Sequence, residues 1–259
     1  MRKRTSKSRG IEFHFTYLLV GVGFVLTGNF LSLVAFTFLI LIHEFGHFIM
    51  AILCRVKIKK IIIYPFGGMT KLDCFVNFDT TKELLIAFSG VIMQTIGYFI
   101  ICFLGRFNMV REYTLQVFTF YHFKILFFNL IPIYPLDGGR IVLLLLQKIF
   151  PFRVSNMISV ISSFLFIAIL VINHIYKVNY SNIIIYYILL YYLIKFFNKR
   201  HFYYSKFLLE RYLYNFNFHR LKIINDYKYM YKDRLHFIHM GNSLIKEKDF
   251  LKIYFNGKR

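Results

Sequence analysis

The stretch LILIHEFGHFIMAIL, Leu39 to Leu53, is the most informative segment of this 259-residue chain. It places two histidines and a glutamate inside an apolar run that begins near residue 29 and is long enough to cross a membrane. A buried ionisable side chain in such a run is costly and therefore points to a function. Three of them within five positions are hard to explain as filler.

The composition is that of an integral membrane protein. Hydrophobic residues make up 58% of the chain and charged residues 17%, and the mean hydropathy is +0.54. The sequence predicts an all-α, polytopic membrane protein with about six transmembrane helices. Their spans are predicted at about 14–27, 29–53, 83–105, 114–134, 156–173 and 181–197.

The distribution of lysine and arginine predicts the orientation. These residues concentrate at the N-terminus, after the second span and after the fourth span, so both termini are expected in the cytoplasm. We divide the chain into a transmembrane domain, residues 1–197, and a basic cytoplasmic tail, residues 198–259. The net charge of +21 serves topology and contact with anionic lipid, and no direct binding of nucleic acid is expected.

One segment between the second and third spans has the pattern of strands. VKIKKIIIYPFGGMTKLDCFV, Val56 to Val76, has β-branched runs on both sides of a P-F-G-G turn. It predicts a β-hairpin or a re-entrant loop at the membrane surface.

The opening stretch carries the pattern H-E-x-x-H. On a helix, His43 and His47 are four residues apart and share a face, so their imidazoles can hold one metal ion. Glu44 lies beside them, where it can take a proton from water at a zinc ion. The alternative is a set of polar residues that neighbouring helices satisfy.

A catalytic zinc site needs a third protein ligand, and Asp137 is the candidate. It lies in NLIPIYPLDGGR, residues 129–140, near the cytoplasmic end of the fourth span. Pro132 and Pro135 interrupt the helix there, and such backbone is tolerated at membrane depth where it is buried in protein or faces a wet cavity. Taken alone, D-G-G is equally an ordinary interfacial turn.

H-E-x-x-H on one span and N-x-x-P-x-x-P-x-D-G-G on a later one resemble the site-2 protease family of intramembrane zinc metalloproteases. The resemblance is greatest to its sporulation branch, and it covers most of residues 14–212. Supporting stretches are LIHEFGH, YPFGG, FTFYHFKILFFNLIPIYPLDGGR and, beyond the last span, KFLLERY.

The resemblance implies a role for each matching residue. His43, His47 and Asp137 would hold one Zn²⁺ per chain, and Glu44 would act as the general base. Asn129 matches the motif asparagine of the family, which is thought to position the substrate or stabilise the oxyanion, and an amide donor suits that task. An interhelical hydrogen bond is the alternative role for Asn129.

The remaining candidates are substrate-binding residues. Gly67 and Gly68 in the predicted hairpin, with Pro135 and Gln94, are the positions expected to contact substrate, and a plain turn is the alternative for the two glycines. An open strand edge could hold an unwound substrate extended by adding it as a strand. Gln94 departs from the family, which usually has asparagine there.

The tail departs from the family as well. The sporulation branch ends in a nucleotide-sensing CBS domain, and residues 198–259 are short for one, so a reduced CBS-like domain or a small basic cap is expected. His236 and His239 in the tail are interpreted as surface residues rather than metal ligands.

The resemblance implies an intramembrane protease that processes the pro-sequence of a sporulation sigma factor, pro-sigma-K. Its expected partners are that membrane-associated substrate, inhibitory or regulatory membrane proteins, and the lipid bilayer. Its expected location is the mother-cell membrane around the forespore, with the active-site opening on the cytoplasmic side. The alternatives are a general site-2 protease that cleaves anti-sigma factors or signal-peptide remnants, a metal or proton transporter, and a catalytically silent scaffold.

Overall fold

A computed structural model describes most of the chain. The described residues are 11–13, 15–64, 67–73, 75–176, 183–218, 220–240 and 243–256. Their helices are α1 (Phe15–Leu26), α2 (Phe30–Leu53), α3 (Thr80–Arg106), α4 (Glu112–Leu130), α5 (Asp137–Ile149), α6 (Phe152–Tyr176), α7 (Ile183–Asn198), α8 (Arg200–Leu213) and α9 (Glu247–Asn256). Their strands are β1 (Ile11–Phe13), β2 (Lys57–Tyr64), β3 (Gly67–Asp73), β4 (Leu221–Ile224), β5 (Leu235–Met240) and β6 (Ser243–Lys246).

Three of these helices are long and apolar enough to cross a membrane. They are Phe30–Leu53, Thr80–Arg106 and Phe152–Asn173, and they coincide with three of the six predicted spans. The other three predicted spans fall on α1, α4 and α7, and their crossing of the membrane stays a prediction. The chain is mostly helical, as predicted, but it also contains two small sheets.

The chain divides into two compact units. The first unit is Met1–Cys74 with Leu85–Leu130, and the second unit is Phe75–Leu84 with Ile131–Arg259. The boundary that the sequence places after residue 197 is not the boundary of these units, and a separate tail domain stays a prediction.

In the first unit, α2 and α3 approach closely because glycines face the contact. A Cβ on Gly46 of α2 would collide with the carbonyl oxygen of Ser89, and one on Gly97 of α3 would lie 2.9 Å from Cδ1 of Ile42. On another side, Leu39 and Ile40 of α2 form an apolar cluster with Ile125 of α4. Helix α2 is therefore held between helices, which buries its polar residues.

The first sheet has the strand order β1-β2-β3. Strands β2 and β3 form the predicted β-hairpin, with Ile63 opposite Gly68 and Tyr64 opposite Gly67. Strand β1 pairs with β2 in parallel, so β3 is an edge strand of the described sheet. The prediction of a hairpin is therefore confirmed, and its location at the membrane surface stays a prediction.

The second unit contains a sheet that the sequence does not predict. Strands β4 and β5 are parallel, β5 and β6 are antiparallel, and α9 follows β6. Its apolar core combines residues of α8 and the sheet with the first residue of α6, Phe152, whose ring stacks on Phe207 at 4.5 Å. The tail is therefore not all-α as expected. The sequence does not reveal its strands, because strands of four to six residues carry too little periodicity to be recognised.

A buried network of charged and polar side chains connects the elements of this unit. Arg211 is 4% exposed, and its Nη1 donates to both carboxylate oxygens of Glu247 at 2.9 and 3.0 Å. Oε2 of Glu247 also accepts from Nδ1 of His236 at 2.8 Å, and Nε2 of His236 accepts from the backbone N–H of Tyr231 at 3.0 Å. His236 is 2% exposed, so its interpretation as a surface residue is wrong.

The same unit holds the segment that leads from the hairpin into α3. Asn77 accepts from Nε of Arg211 at 2.8 Å and donates to Glu210 at 3.1 Å. Further along, Glu83 accepts from the buried Nζ of Lys232 at 2.6 Å and lies 3.8 Å from Arg140. Residues 75–84 are thereby tied to the tail by charged hydrogen bonds, which are stronger than neutral ones.

Candidate metal centre

The three polar residues of the opening stretch lie together on α2. His43, Glu44 and His47 are 2%, 3% and 6% exposed, and their ligand atoms all lie within 4.8 Å of one another. Within the described ranges, they form the group of histidine, cysteine and acidic residues whose geometry could hold a metal ion. The helical spacing predicts this arrangement, because residues four apart share a face.

Each histidine is oriented by an acceptor on α3. Nδ1 of His47 donates to the backbone carbonyl of Ile86 at 2.6 Å, and Nδ1 of His43 lies 3.0 Å from Oε1 of Gln94. When Nδ1 carries the proton of a neutral imidazole, Nε2 presents its lone pair. The two Nε2 atoms face one another at 3.2 Å.

These residues fit a zinc ion. Tetrahedral zinc with Zn–N bonds of 2.0–2.1 Å places two nitrogen ligands about 3.3 Å apart, close to the separation of the two Nε2 atoms. Gly90 of α3 lets both rings lie close to this helix: a Cβ there would lie 2.5 Å from Nε2 of His47 and 2.7 Å from Nε2 of His43. A side chain at Gly90 would therefore collide with both ring nitrogens.

Asn129 lies at the end of α4, in the same unit as the two histidines. It is 4% exposed, and its Nδ2 has no hydrogen-bond partner among the residues that the structure describes. A buried donor without an acceptor is costly and needs an explanation, such as a catalytic role or an ordered water. The contact of Asn129 with substrate stays a prediction.

Asp137 and Pro135 belong to the second unit. Asp137 is the first residue of α5, and the turn before it folds tightly against the helix, since a Cβ on Gly139 would collide with the backbone of Ile133. The Tyr134–Pro135 peptide bond is cis. The place of Asp137 among the zinc ligands, and that of Pro135 at the substrate, stay predictions.

The other substrate-binding candidates fall in two places. Gly67 and Gly68 are the first residues of the edge strand β3. Gln94 is fully buried on α3, where it contacts His43. The structure therefore brings Gln94 to the pair of histidines, while its contact with substrate stays a prediction.

Sequence reasoning missed three contributors to this site. They are Gly90, the carbonyl of Ile86, and His122 of α4, which contacts the far side of the Gln94 amide. A backbone carbonyl leaves no trace in sequence, and a glycine within an apolar span has many explanations. His122 was detectable, because an ionisable residue in a predicted span indicates function or a partner.

Comparisons with known proteins agree with this chemistry. The model of Peptidase family M50 matches residues 31–112 and 108–172. Stage IV sporulation protein FB of Bacillus subtilis is 30% identical over 200 residues, which cover 76% of this chain and 69% of that protein. A zinc metalloprotease of Methanocaldococcus jannaschii is 30% identical over 159 residues, which cover 58% of this chain and 46% of that protein.

The fold has a solved counterpart. A site-2 protease from Methanocaldococcus jannaschii matches with a TM-score of 0.59 at 22% identity, covering 75% of this chain and 93% of that one. At this identity the match shows the fold alone. The family model and the sporulation relative carry the assignment: this chain belongs to peptidase family M50, the site-2 type of membrane zinc metalloprotease.

Proposed function

We propose that the protein hydrolyses a peptide bond in or next to a membrane-associated segment, with His43, His47 and Asp137 as zinc ligands. The observation that carries the proposal is the pair of buried Nε2 atoms 3.2 Å apart, beside Glu44 and close to Gly90. Nδ1 of each imidazole contacts an acceptor on α3, so Nε2 is the nitrogen that would bind the metal ion.

Zinc, when bound, supplies Lewis-acid chemistry that makes a water molecule acidic enough to attack near neutral pH. Glu44 takes the proton of the attacking water and then passes it to the leaving amine. Asn129 donates its buried Nδ2–H to the oxygen of the substrate carbonyl as negative charge develops on it. The enclosing helices α2 and α3 limit the access of bulk water.

The hairpin provides the means to hold the substrate. A peptide bond inside a helix is shielded by its own hydrogen bonds, so the substrate must be extended before it can be cut. Strand β3 is an edge of its sheet and starts with Gly67 and Gly68, whose lack of side chains lets a peptide approach. We place the substrate along this edge, with Pro135 contributing to the same site.

The proposed substrate is the pro-sequence of a sporulation sigma factor, pro-sigma-K. The support is the similarity to stage IV sporulation protein FB, which extends over three quarters of the chain. The enzyme would then lie in the mother-cell membrane around the forespore, with both termini and the opening of the active site in the cytoplasm. Inhibitory membrane proteins of the sporulation complex would keep it inactive until needed.

The second candidate is a general site-2 protease acting on anti-sigma factors or signal-peptide remnants. The chain is also 30% identical over 159 residues to the zinc metalloprotease of Methanocaldococcus jannaschii, whose name carries no sporulation role. This similarity keeps the second candidate open. Membership of a peptidase family leaves no support for the transporter or the silent scaffold.

Glu44→Gln tests the proposal. The full chain is co-expressed with a pro-sigma-K substrate, and cleavage is followed on immunoblots beside the zinc content of the purified protein. We expect about one zinc per chain and a loss of cleavage of roughly 10²-fold or more, because only the proton transfer is removed. Exposed Glu112 on α4 provides the matched control, and Glu112→Gln should cleave as the wild type does.

Continued cleavage by Glu44→Gln would contradict the assignment of the base. A wild-type chain that holds zinc and cuts an anti-sigma factor, but leaves pro-sigma-K intact, would favour the general protease instead.

A further inference from the structure

The amide of Gln94 lies between His43 and α4. It is fully buried, at 0% exposure, and its Oε1 is 3.0 Å from Nδ1 of His43. Its Nε2 lies 3.1 Å from the backbone carbonyl of His122 and 3.3 Å from Nδ1 of the same residue. One side chain on α3 thereby connects a candidate metal ligand on α2 to the backbone of α4.

The orientation of this amide follows from its partners. A backbone carbonyl oxygen only accepts hydrogen bonds, so the nitrogen end of Gln94 must face His122. The oxygen end then faces His43 and can only accept, which requires a proton on Nδ1 of His43. In the neutral imidazole, Nε2 of His43 then carries the lone pair, and it lies 3.2 Å from Nε2 of His47.

The far side of the amide is itself held in place. The ring of His122 stacks on Tyr98 of α3, with ring centroids 4.2 Å apart and planes 5° from parallel. The hydroxyl oxygen of Tyr98 in turn lies 3.2 Å from Oγ1 of Thr119 on α4. Gln94 is thus supported by packed groups and by a carbonyl in a helix, which restrict its rotamers.

The two histidines depend on different kinds of acceptor. His47 uses the backbone carbonyl of Ile86, which no substitution removes. His43 uses the side chain of Gln94, which a single substitution removes. A substitution of Gln94 can therefore change the orientation of His43 without changing either histidine.

We propose that Gln94 is a positioning residue for zinc binding, which fixes the tautomer and the ring orientation of His43 rather than contacting the substrate. This inference rests on the proposed function, in which His43 is a ligand. Partners that orient metal-binding imidazoles typically contribute about 10-fold to 100-fold in metal affinity.

The test is the zinc affinity of the full chain in detergent, measured by competition with a chromophoric chelator. Gln94→Leu should bind zinc about 10-fold to 100-fold more weakly than the wild type. Gln94→Asn keeps an amide, with its acceptor and its donor, on a shorter side chain and should bind zinc more tightly than Gln94→Leu does. Gln147→Leu is the matched control, since Gln147 is also a buried helical glutamine, at 4% exposure, and should leave the affinity unchanged.

Equal zinc affinity in the wild type and Gln94→Leu would overturn the inference and leave the proposed function intact. If Gln94→Leu does not fold, the unbranched Gln94→Met, which also lacks the acceptor, takes its place, and zinc affinity equal to that of the wild type there overturns the inference. A folded wild-type chain that binds no zinc would overturn the proposed function together with this inference.

Discussion

Two buried groups in this chain each contain histidine and glutamate, and they use the ring nitrogens of their histidines differently. Arg211, His236 and Glu247 in the second unit form a closed network, in which both nitrogens of His236 and the guanidinium of Arg211 have partners. His43 and His47 in the first unit have their acceptors on Nδ1, while their Nε2 atoms face one another. Burial is similar in both groups, so the difference lies in what the Nε2 atoms contact, which is a backbone N–H in the closed network and a second imidazole in the candidate metal centre.

The largest effect is expected from breaking the closed network. Arg211→Met removes a guanidinium that contacts Glu247, three backbone carbonyl oxygens and the amide oxygen of Asn77. The buried carboxylate of Glu247 then lacks the positive charge beside it. We expect a loss of about 3–5 kcal/mol in the free energy of unfolding, measured by denaturant titration in detergent.

The matched control is an ion pair of the same unit on its surface. Lys252 lies 3.0 Å from Asp249, and both side chains are about half exposed. Lys252→Met should change the free energy of unfolding by less than about 1 kcal/mol, because water screens such pairs. Similar losses for Arg211→Met and Lys252→Met would show that the network does not stabilise the unit.

The next effect concerns the space beside the two histidines. Gly90→Ala places a Cβ within 2.7 Å of both Nε2 atoms, so zinc affinity should fall by about 100-fold or more. The added methyl group also crowds the two buried rings, so some loss of stability is expected beside the loss of zinc. The readouts are chelator competition for zinc and thermal unfolding of the same sample.

Gly21→Ala in α1 is the control for this substitution. A Cβ at Gly21 would meet no described atom within 4 Å, so zinc affinity should not change. Unchanged zinc affinity in Gly90→Ala would mean that the ion does not occupy the space in front of the two rings.

The smallest effect is the pH dependence of the closed network. Burial lowers the pKa of His236, and the nearby Arg211 and Arg234 act in the same direction, although the hydrogen bond to Glu247 opposes them. Since the unfolded chain then binds the proton more readily, stability is complete above the unfolded pKa of about 6.5 and declines as the pH falls below it. We expect the melting temperature to fall by a few degrees between pH 7 and pH 5.

Glu247 contributes in the same direction at lower pH. Burial acts to raise the pKa of its carboxyl, but the hydrogen bond from His236 and the charge of Arg211 outweigh burial and lower it. His236→Gln should reduce the pH dependence between pH 7 and pH 5, and His239→Gln, on an exposed residue of β5, should retain it. Equal pH profiles for all three proteins would contradict the role of His236.

The sequence predicts the metal centre better than it predicts the second unit. H-E-x-x-H within an apolar run specifies both a helix and a shared face, so His43, Glu44 and His47 follow from spacing alone. The closed network joins residues 11 to 36 positions apart, and Asn77 contacts Arg211 from 134 positions away, so no local pattern records these pairings. His236 illustrates the difference, because a histidine in a polar tail gives no sign of its burial.

The role of Gln94 shows a second limit. Its position one helical turn from Gly90 on α3 is visible in the sequence, but the acceptor that it provides for His43 depends on how α2 and α3 pack. Sequence reasoning therefore identified the residue and left its partner to the structure.

We expect the facing nitrogens of His43 and His47 to bind zinc, and X-ray absorption at the zinc edge of the purified full chain measures this binding. We expect about one zinc per chain with imidazole nitrogens at about 2.0–2.1 Å, and loss of that signal in the double variant His43→Ala/His47→Ala. A folded wild-type chain without zinc, or zinc whose imidazole signal survives in the double variant, would contradict it.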